Sequence, residues 1–165
     1  CTMKRLLLMR HGEAYPSSYG VSDHDRALTD NGVFTNKLML NKIVEQNISF
    51  DLMLTSSASR ALSTCELAAS LLNYDEKRIK VEPSIYNCTF NHLKQIICKI
   101  DSYYNSTAIF GHNPAFHTMS GYLFGNTIIR FPESSMICVD FHADCWEKCF
   151  MSKKTIKFLN YSDNV

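Results

Sequence analysis

The chain has no excess of charge of either sign: 17 Lys and Arg stand against 16 Asp and Glu, a formal net charge of +1 over 165 residues. That balance gives no electrostatic reason to expect nucleic acid or an anionic membrane as a partner. No apolar run approaches the length of a membrane span, and no signal peptide is read ahead of the first strand. Low-complexity segments, internal repeats and linkers are missing as well, so residues 1–165 are expected to form one domain, long enough to bury a substantial core. Met3 reads as the natural start, with Cys1 and Thr2 left over from processing or cloning. Aromatic residues are not arranged as a stacking platform for bases; Tyr103, Tyr104 and the stretch Phe116–Phe124 read as core or docking surface. Cysteine is not scarce, but seven is an odd number and the positions are scattered (Cys65, Cys88, Cys98, Cys138, Cys145 and Cys149 besides Cys1). Several fall inside apolar patterns, where free cysteine acts as a small hydrophobe. Reduced thiols in a cytoplasmic protein are the simplest account.

What is present reads as alternating strands and helices. Leu6–Met9 is too short an apolar run for a helix and fits a buried parallel strand, ended by Gly12, which lets the backbone turn sharply away. Residues 15–26 form a turn-rich surface loop. Thr29 caps a helix whose apolar face (Val33, Leu38, Leu40, Ile43, Val44) runs to about Gln46. Phe50–Ser56 is the second strand, leading into a helix through Leu72 whose first turn is capped from among Ser56, Ser57 and Ser59. Ile79–Val81 is a short third strand closed by Pro83. Thr89 caps a third helix bearing Leu93, Ile96, Ile97 and Ile100. Thr107–Phe110 is the fourth strand, and Pro114 opens a helix to Phe124. Beyond this, Ser135–Phe141 and Trp146–Met151 read as strands around a turn at His142–Asp144, with Thr155–Leu159 a further strand at the sheet edge. The order predicts an α/β fold with a mainly parallel sheet and helices on both faces.

The chemistry gathers where strands end. Arg10 and His11 follow the first strand, Arg60 lies one turn past the second, and His112 follows the fourth. In a parallel sheet these ends share one edge, the usual site of ligand binding. No carboxylate in these segments is placed to neutralise two guanidiniums and two imidazoles together, so an anion is expected to fill the space. Two cations about 4 Å from a dianion contribute several kcal/mol at an effective dielectric of about 20. Arginine's planar fork suits phosphate oxygens, and the helix starts after Ser56 and Asn113 add backbone donors.

The segments Leu8–Glu13 (Leu-Met-Arg-His-Gly-Glu), Ser56–Thr64, Gly111–Pro114 (Gly-His-Asn-Pro) and Arg26–Gly32 resemble, in order, the signatures of the histidine phosphatase superfamily. The short chain and the Gly-His-Asn-Pro segment look most like its SixA-type phosphohistidine phosphatases. The resemblance implies a three-layer, phosphoglycerate mutase-like α/β/α sandwich. It also implies a metal- and cofactor-independent phosphatase that works through a covalent phosphohistidine. His11 is then the nucleophile, its other ring nitrogen held by a backbone carbonyl, and neighbouring arginines disfavour its protonated form. Arg10, Arg60 and His112 hold the phosphoryl oxygens, with Asn113 as a further phosphate contact. One departure matters. Larger members carry a proton-donating glutamate after the third strand, where this chain has Ile85-Tyr86-Asn87. Asn87 cannot protonate an alkoxide, whereas phosphohistidine can leave as a neutral imidazole. The implied partner is therefore a phosphohistidine-bearing phosphotransfer protein, approached by a monomer with a shallow open site.

Secondary candidates carry two readings each. Glu13 orients Arg10 or a water, or balances local positive charge. Arg26 contacts phosphate or substrate, or is a solvated loop arginine. Asn113 contributes its amide to the anion, or sets the turn before Pro114. Glu82 reads as a strand-end surface residue rather than a replacement acid. His24, His92 and His117 read as structural or exposed. His142, Asp144, Cys145 and Cys149 match no strong zinc spacing. Two further functions stay open: a broader phosphatase acting on small phosphate esters, and a phosphoprotein-binding module with weak catalysis.

Overall fold

Strand polarity in the computed structural model follows from the alternation of the sequence. The structure describes residues 2–128 and 130–162, so Cys1 lies outside the described residues. Among the described residues, six strands form one sheet: β1 (Lys4–Arg10), β2 (Leu52–Thr55), β3 (Lys80–Val81), β4 (Ser106–Gly111), β5 (Met136–Phe141) and β6 (Lys154–Asn160). Their order is β3-β2-β4-β1-β5-β6. The first four strands of that order run parallel, and β5 and β6 continue the sheet antiparallel.

Side chains alternate across the pleat with period two. Leu7, Met9, Met53, Ala108 and Phe110 face one way, onto Met39, Leu40 and Ile43 of α1 (Asp30–Glu45) and Cys65, Ala68 and Ala69 of α2 (Ser59–Leu71). Leu6, Leu8, Leu52, Leu54 and Ile109 face the other, onto Leu93 and Ile97 of α3 (Phe90–Cys98) and Phe116, Met119 and Leu123 of α4 (Ala115–Leu123). The result is the expected three-layer α/β/α sandwich with a mainly parallel sheet.

Thr29 and Thr89 cap α1 and α3 as expected, accepting from the N–H groups of Gly32 and His92. The cap of α2 differs: Ala58 occupies that position without a side-chain bond. Ser56 instead accepts from the Ala58 N–H at 3.2 Å, and its hydroxyl also reaches the site described below. The expected strand at Trp146–Met151 is a 3-10 helix. Its residues are not spaced for a pleat: Trp146 and Cys149, three apart, are the pair that reach the core. Trp146 Nε1 donates to Tyr104 O at 2.8 Å. The partner of β5 is therefore β6, whose register shifts between Cys138 and Val139.

Candidate active site

The parallel strands end together. Arg10 closes β1 opposite Gly111 of β4, and Ser56 follows β2, its N–H donating to Phe110 O at 3.0 Å. This brings His11, Arg60 and His112 into one cleft of about 260 Å³, lined also by Arg10, Ala14, Arg26, Asn87, Asn113 and Glu133. His11, Arg60 and His112 are only 6%, 5% and 7% exposed. The two imidazoles lie 5.1 Å apart between ring centroids, tilted by 55°.

Hydrogen bonds assign the proton on His11. Its Nδ1 lies 2.7 Å from Gly12 O, an acceptor, so Nδ1 carries the hydrogen. Nε2 then holds a lone pair, and Arg60 Nε donates to it at 3.3 Å. Burial, more than charge, keeps this ring neutral: it pushes the pKa down from 6.5 to about 3, with His112, Arg60 and Arg10 adding to the effect. The sequence reading gave that role to the arginines; desolvation is the larger cause. His112 is pushed down to about 4, again first by burial and then by Arg60. Its Nε2 meets Ser56 Oγ at 2.8 Å.

Two cleft nitrogens remain unspent. Among the described residues, Arg10 Nε and His112 Nδ1 are buried without a hydrogen-bond partner. Buried polar groups are rarely left so. Here both belong to cationic or potentially donating side chains beside a neutral nucleophile, the arrangement that a phosphoryl group completes. Arg10 is held by NH1 on Phe131 O at 3.2 Å, and Asn113 Nδ2 donates to the same carbonyl at 2.8 Å. The Asn113 amide nitrogen is thus committed to the backbone, although the residue lines the cleft.

A polar core beneath the site fixes the nucleophile loop. Thr64 Oγ1 accepts from Gly12 N at 3.2 Å and from Asn36 Nδ2 at 3.0 Å, and donates to Arg60 O at 2.8 Å. Ser134 Oγ donates to Asn36 Oδ1 at 2.7 Å. Gly12 is needed here for proximity, not for a left-handed turn: a Cβ would lie 2.6 Å from Asn36 Nδ2. Gly32 answers a similar constraint, since its Cβ would collide with the Glu13 carbonyl oxygen.

The remaining candidates fall into place around this frame. Glu13 does not orient Arg10: it accepts from Thr29 Oγ1 at 2.6 Å and Asn31 Nδ2 at 3.1 Å, at the start of α1. Glu82 accepts from Ser84 and begins the short turn Pro83–Ile85, away from the cleft. His117 Nε2 faces Ile128 O at 3.3 Å and His142 Nε2 faces Thr155 Oγ1 at 3.3 Å. His24 is a rim residue instead of a bystander: Nε2 meets Ser57 Oγ at 2.9 Å, and its ring stands edge-on to Tyr86 at 5.0 Å.

Among the described residues no single carboxylate neutralises the four groups together, but one of them, Arg60, has an acidic partner outside the segments considered in the sequence. Asp23, on the 3-10 turn Asp23–Asp25, accepts from Arg60 NH2 at 3.2 Å through Oδ2, while its carbonyl accepts from Arg60 NH1 at 2.7 Å. Arg26 Nε donates to Asp23 Oδ1 at 3.0 Å and Arg26 NH1 to Tyr15 O at 2.8 Å. Tyr86 donates to Asp23 Oδ2 at 2.5 Å. Asp23 lies on a loop without helical or strand periodicity, so only its place three residues before the motif's Arg26–Gly32 segment pointed to it.

A neutral, pre-oriented imidazole enclosed by arginines at the strand ends of an α/β/α sandwich defines a protein built to handle phosphoryl groups through histidine. The model of the histidine phosphatase superfamily (branch 1) matches residues 6–105, and the chain belongs to that family. An uncharacterized chloroplastic protein of Arabidopsis thaliana is 25% identical over 155 residues, covering 89% of this chain and 71% of the relative. Among solved structures, the protein histidine phosphatase SixA complexed with tungstate is 24% identical, with a TM-score of 0.80 and coverage of 97% of this chain and 98% of that one. A phosphoserine phosphatase mutant of Entamoeba histolytica, in complex with phosphoserine, shares the fold at 14% identity and a TM-score of 0.66, over 98% of this chain and 99% of that one. Family and fold together support a phosphatase. No helix among the described residues is long and apolar enough to cross a membrane.

Proposed function

We propose that the protein is a phosphohistidine phosphatase that removes phosphoryl groups from histidine on a phosphorelay protein. The observation that carries this reading is the state of His11: Nδ1–H is spent on Gly12 O, and Nε2 keeps the attacking lone pair, which accepts from Arg60 Nε before the phosphoryl group arrives. In the first step the Nε2 lone pair forms a bond to phosphorus while the P–N bond of the substrate breaks. The electron pair of that bond stays on the departing nitrogen. A substrate ring protonated on its far nitrogen thus leaves as neutral imidazole. In the second step water attacks phosphorus, the His11 N–P bond breaks, and phosphate is released. Arg10, Arg60 and His112 hold the equatorial oxygens, where charge spreads, and supply the positive charge that a metal ion provides in other phosphotransfer sites. Asn113 and Arg26 stand at the margin of that pocket.

The likeness to a SixA structure that binds tungstate, a tetrahedral oxyanion, supports an oxyanion at this position. Asn87 at the cleft supports the choice of phosphohistidine over alkyl phosphates, because an amide supplies no proton to an alkoxide. The six described cysteines are free thiols, which fits a reducing compartment such as the cytoplasm.

The test is transfer itself. Mixed with a phosphotransfer domain phosphorylated on histidine, the protein is expected to accumulate acid-labile phosphate on His11 and then release inorganic phosphate, without loss of rate in a chelator. Faster turnover of sugar phosphates than of the phosphoprotein would favour the broader phosphatase. Phosphoprotein binding without release of phosphate would favour a binding module.

A further inference from the structure

Arg60 is not shared between His11 and the incoming anion alone. Two of its nitrogens are held by Asp23, at 2.7 Å through the backbone carbonyl and 3.2 Å through the carboxylate. A loop carboxylate at the mouth of an oxyanion pocket is costly for any phosphatase, since it opposes the charge of the substrate. Arg60 and Arg26 offset that charge, and the exposed side of the carboxylate is left to meet a donor on the substrate.

We propose that Asp23 is a specificity-determining residue: its carboxylate accepts the far ring N–H of the departing phosphohistidine and keeps that ring protonated while the P–N bond breaks. The proposal rests on the phosphohistidine reading above and adds the group that selects the leaving ring.

Four observations carry it. The carboxylate has acceptor capacity to spare. Oδ2 takes Tyr86 and Arg60, whereas Oδ1 takes Arg26 alone among the described residues. The Asp23 side chain is 48% exposed, so it is open to a group arriving from solvent. The surroundings also suit a flat ring: Tyr86 stands edge-on to His24 at 5.0 Å and to His112 at 5.6 Å, forming an aromatic wall beside the carboxylate. Finally, Asp23 is an acceptor and not a substitute acid. It is faced by Arg26 from its own segment, Arg60 from α2 and Tyr86 from the turn after β3, with His24 and Asp25 paired to each other beside it in the chain and His11 and His112 beyond Arg60. The Tyr86 hydrogen bond, Arg60 and Arg26 hold it ionised down to about pH 2.

The proton accounting agrees. The P–N electron pair remains on the leaving nitrogen, the far nitrogen keeps its hydrogen, and no third proton is required. A substrate ring that loses that hydrogen leaves as an anion, a far poorer group. By accepting from the ring N–H, Asp23 raises the fraction in the reactive form, and it repels small esters that carry a second negative charge.

The experiment compares wild type, Asp23→Asn and Asp23→Glu on two substrates, a histidine-phosphorylated phosphotransfer domain and 4-nitrophenyl phosphate, across pH 5–9. A charged hydrogen bond of this kind is worth on the order of tenfold or more in rate. Asp23→Asn, which still accepts from Arg60, is expected to lower the ratio of phosphohistidine to aryl phosphate kcat/KM at least tenfold. It should also move the alkaline limb of the single-turnover transfer rate to lower pH, and Asp23→Glu should restore both. An equal fall on both substrates with an unmoved limb would mean that Asp23 only positions Arg60, and would overturn the proposal. Tyr86→Phe is the independent arm, because it frees a second acceptor site on Oδ2. The ratio rises if Asp23 holds the ring; a ratio that stays or falls counts against it. Absence of transfer by the wild type would remove the phosphohistidine reading itself, whereas wild-type transfer with unmoved ratios removes this inference alone.

Discussion

Lowering the pH from 7 to 5 is expected to destabilise this fold through two particular imidazoles. His11 and His112 have folded-state pKa values pushed from 6.5 to about 3 and about 4, chiefly by burial. The unfolded chain therefore binds more protons than the folded one below about pH 6.5. Stability is fully present above that value and is lost as the pH falls toward the folded values. Between pH 7 and pH 5, each ring contributes a loss of at most about 2 kcal/mol, from about 1.4 kcal/mol per pH unit of the window crossed. The two together reach about 4 kcal/mol, a large part of an ordinary domain's stability. Both rings are more than nine-tenths buried, so solvent screening removes little of this. Carboxylates do not confuse the window. The depressed value of Asp23, about 2, places its own loss below 3.8. The assay is urea unfolding of wild type, His11→Gln, His112→Gln and the double variant at pH 7 and 5, at constant ionic strength. Each single substitution is expected to reduce the pH-dependent loss by about 2 kcal/mol, and the double by about twice that. If the variants lose as much stability as wild type between the two pH values, the rings are not desolvated and the neutral-nucleophile argument fails.

Replacing His11 by Ala is expected to reduce hydrolysis to background while leaving the far-UV circular dichroism spectrum unchanged; activity retained at a measurable fraction would remove the covalent mechanism. Arg60→Ala removes a donor to both nucleophile and anion, and kcat/KM on the phosphoprotein should fall by about 10²–10³ in steady-state assays. Asn36→Leu strands the Ser134 hydroxyl in the core and takes one of two donors from Thr64, which keeps Gly12 N and Arg60 O. Urea unfolding should show a loss of about 1–3 kcal/mol, accompanied by reduced activity because the Thr64 hydroxyl that holds Gly12 N loses the amide that helps to fix it.

Most of the architecture was readable because it is written in periodicity. The run from Leu6 to Met9, the threonine caps and the apolar face of α3 are local patterns, and the fold honours them; on α1 Leu40 and Ile43 are buried as expected, whereas Leu38 and Val44 are exposed and Met39 enters the core instead. The last third was harder. Trp146 and Cys149 lie three apart, a spacing that suits a helical turn and not one face of a strand, but the mostly apolar run Trp146–Met151 hid it. The site was legible where chemistry sits at strand ends, as with Arg10, His11 and His112. It was illegible where the contact is made by a backbone or a rotamer. Phe131 serves Arg10 and Asn113 through its carbonyl, which no side-chain pattern can announce. Asn36 gave a faint signal, a polar residue on the buried face of α1, where an amide must find partners. Tyr86 and His24 come from segments that meet only in the folded chain.

The departure at Asn87 has a backbone cause beside its chemical consequence. Asn87 has a φ of 56°, in the left-handed region. Asparagine tolerates this conformation, and a glutamate there pays about 1–2 kcal/mol. The turn that places Tyr86 against Asp23 and across His112 is thus the same turn that disfavours an acid at the next residue. One local conformation removes the proton donor and installs the aromatic and acidic wall in its place. A cleft shaped in this way does little for an alkoxide, which must collect a proton as it leaves. For a ring that brings its own proton, the wall is where that proton can be held, and the choice of leaving group becomes a property of the loop as much as of the nucleophile.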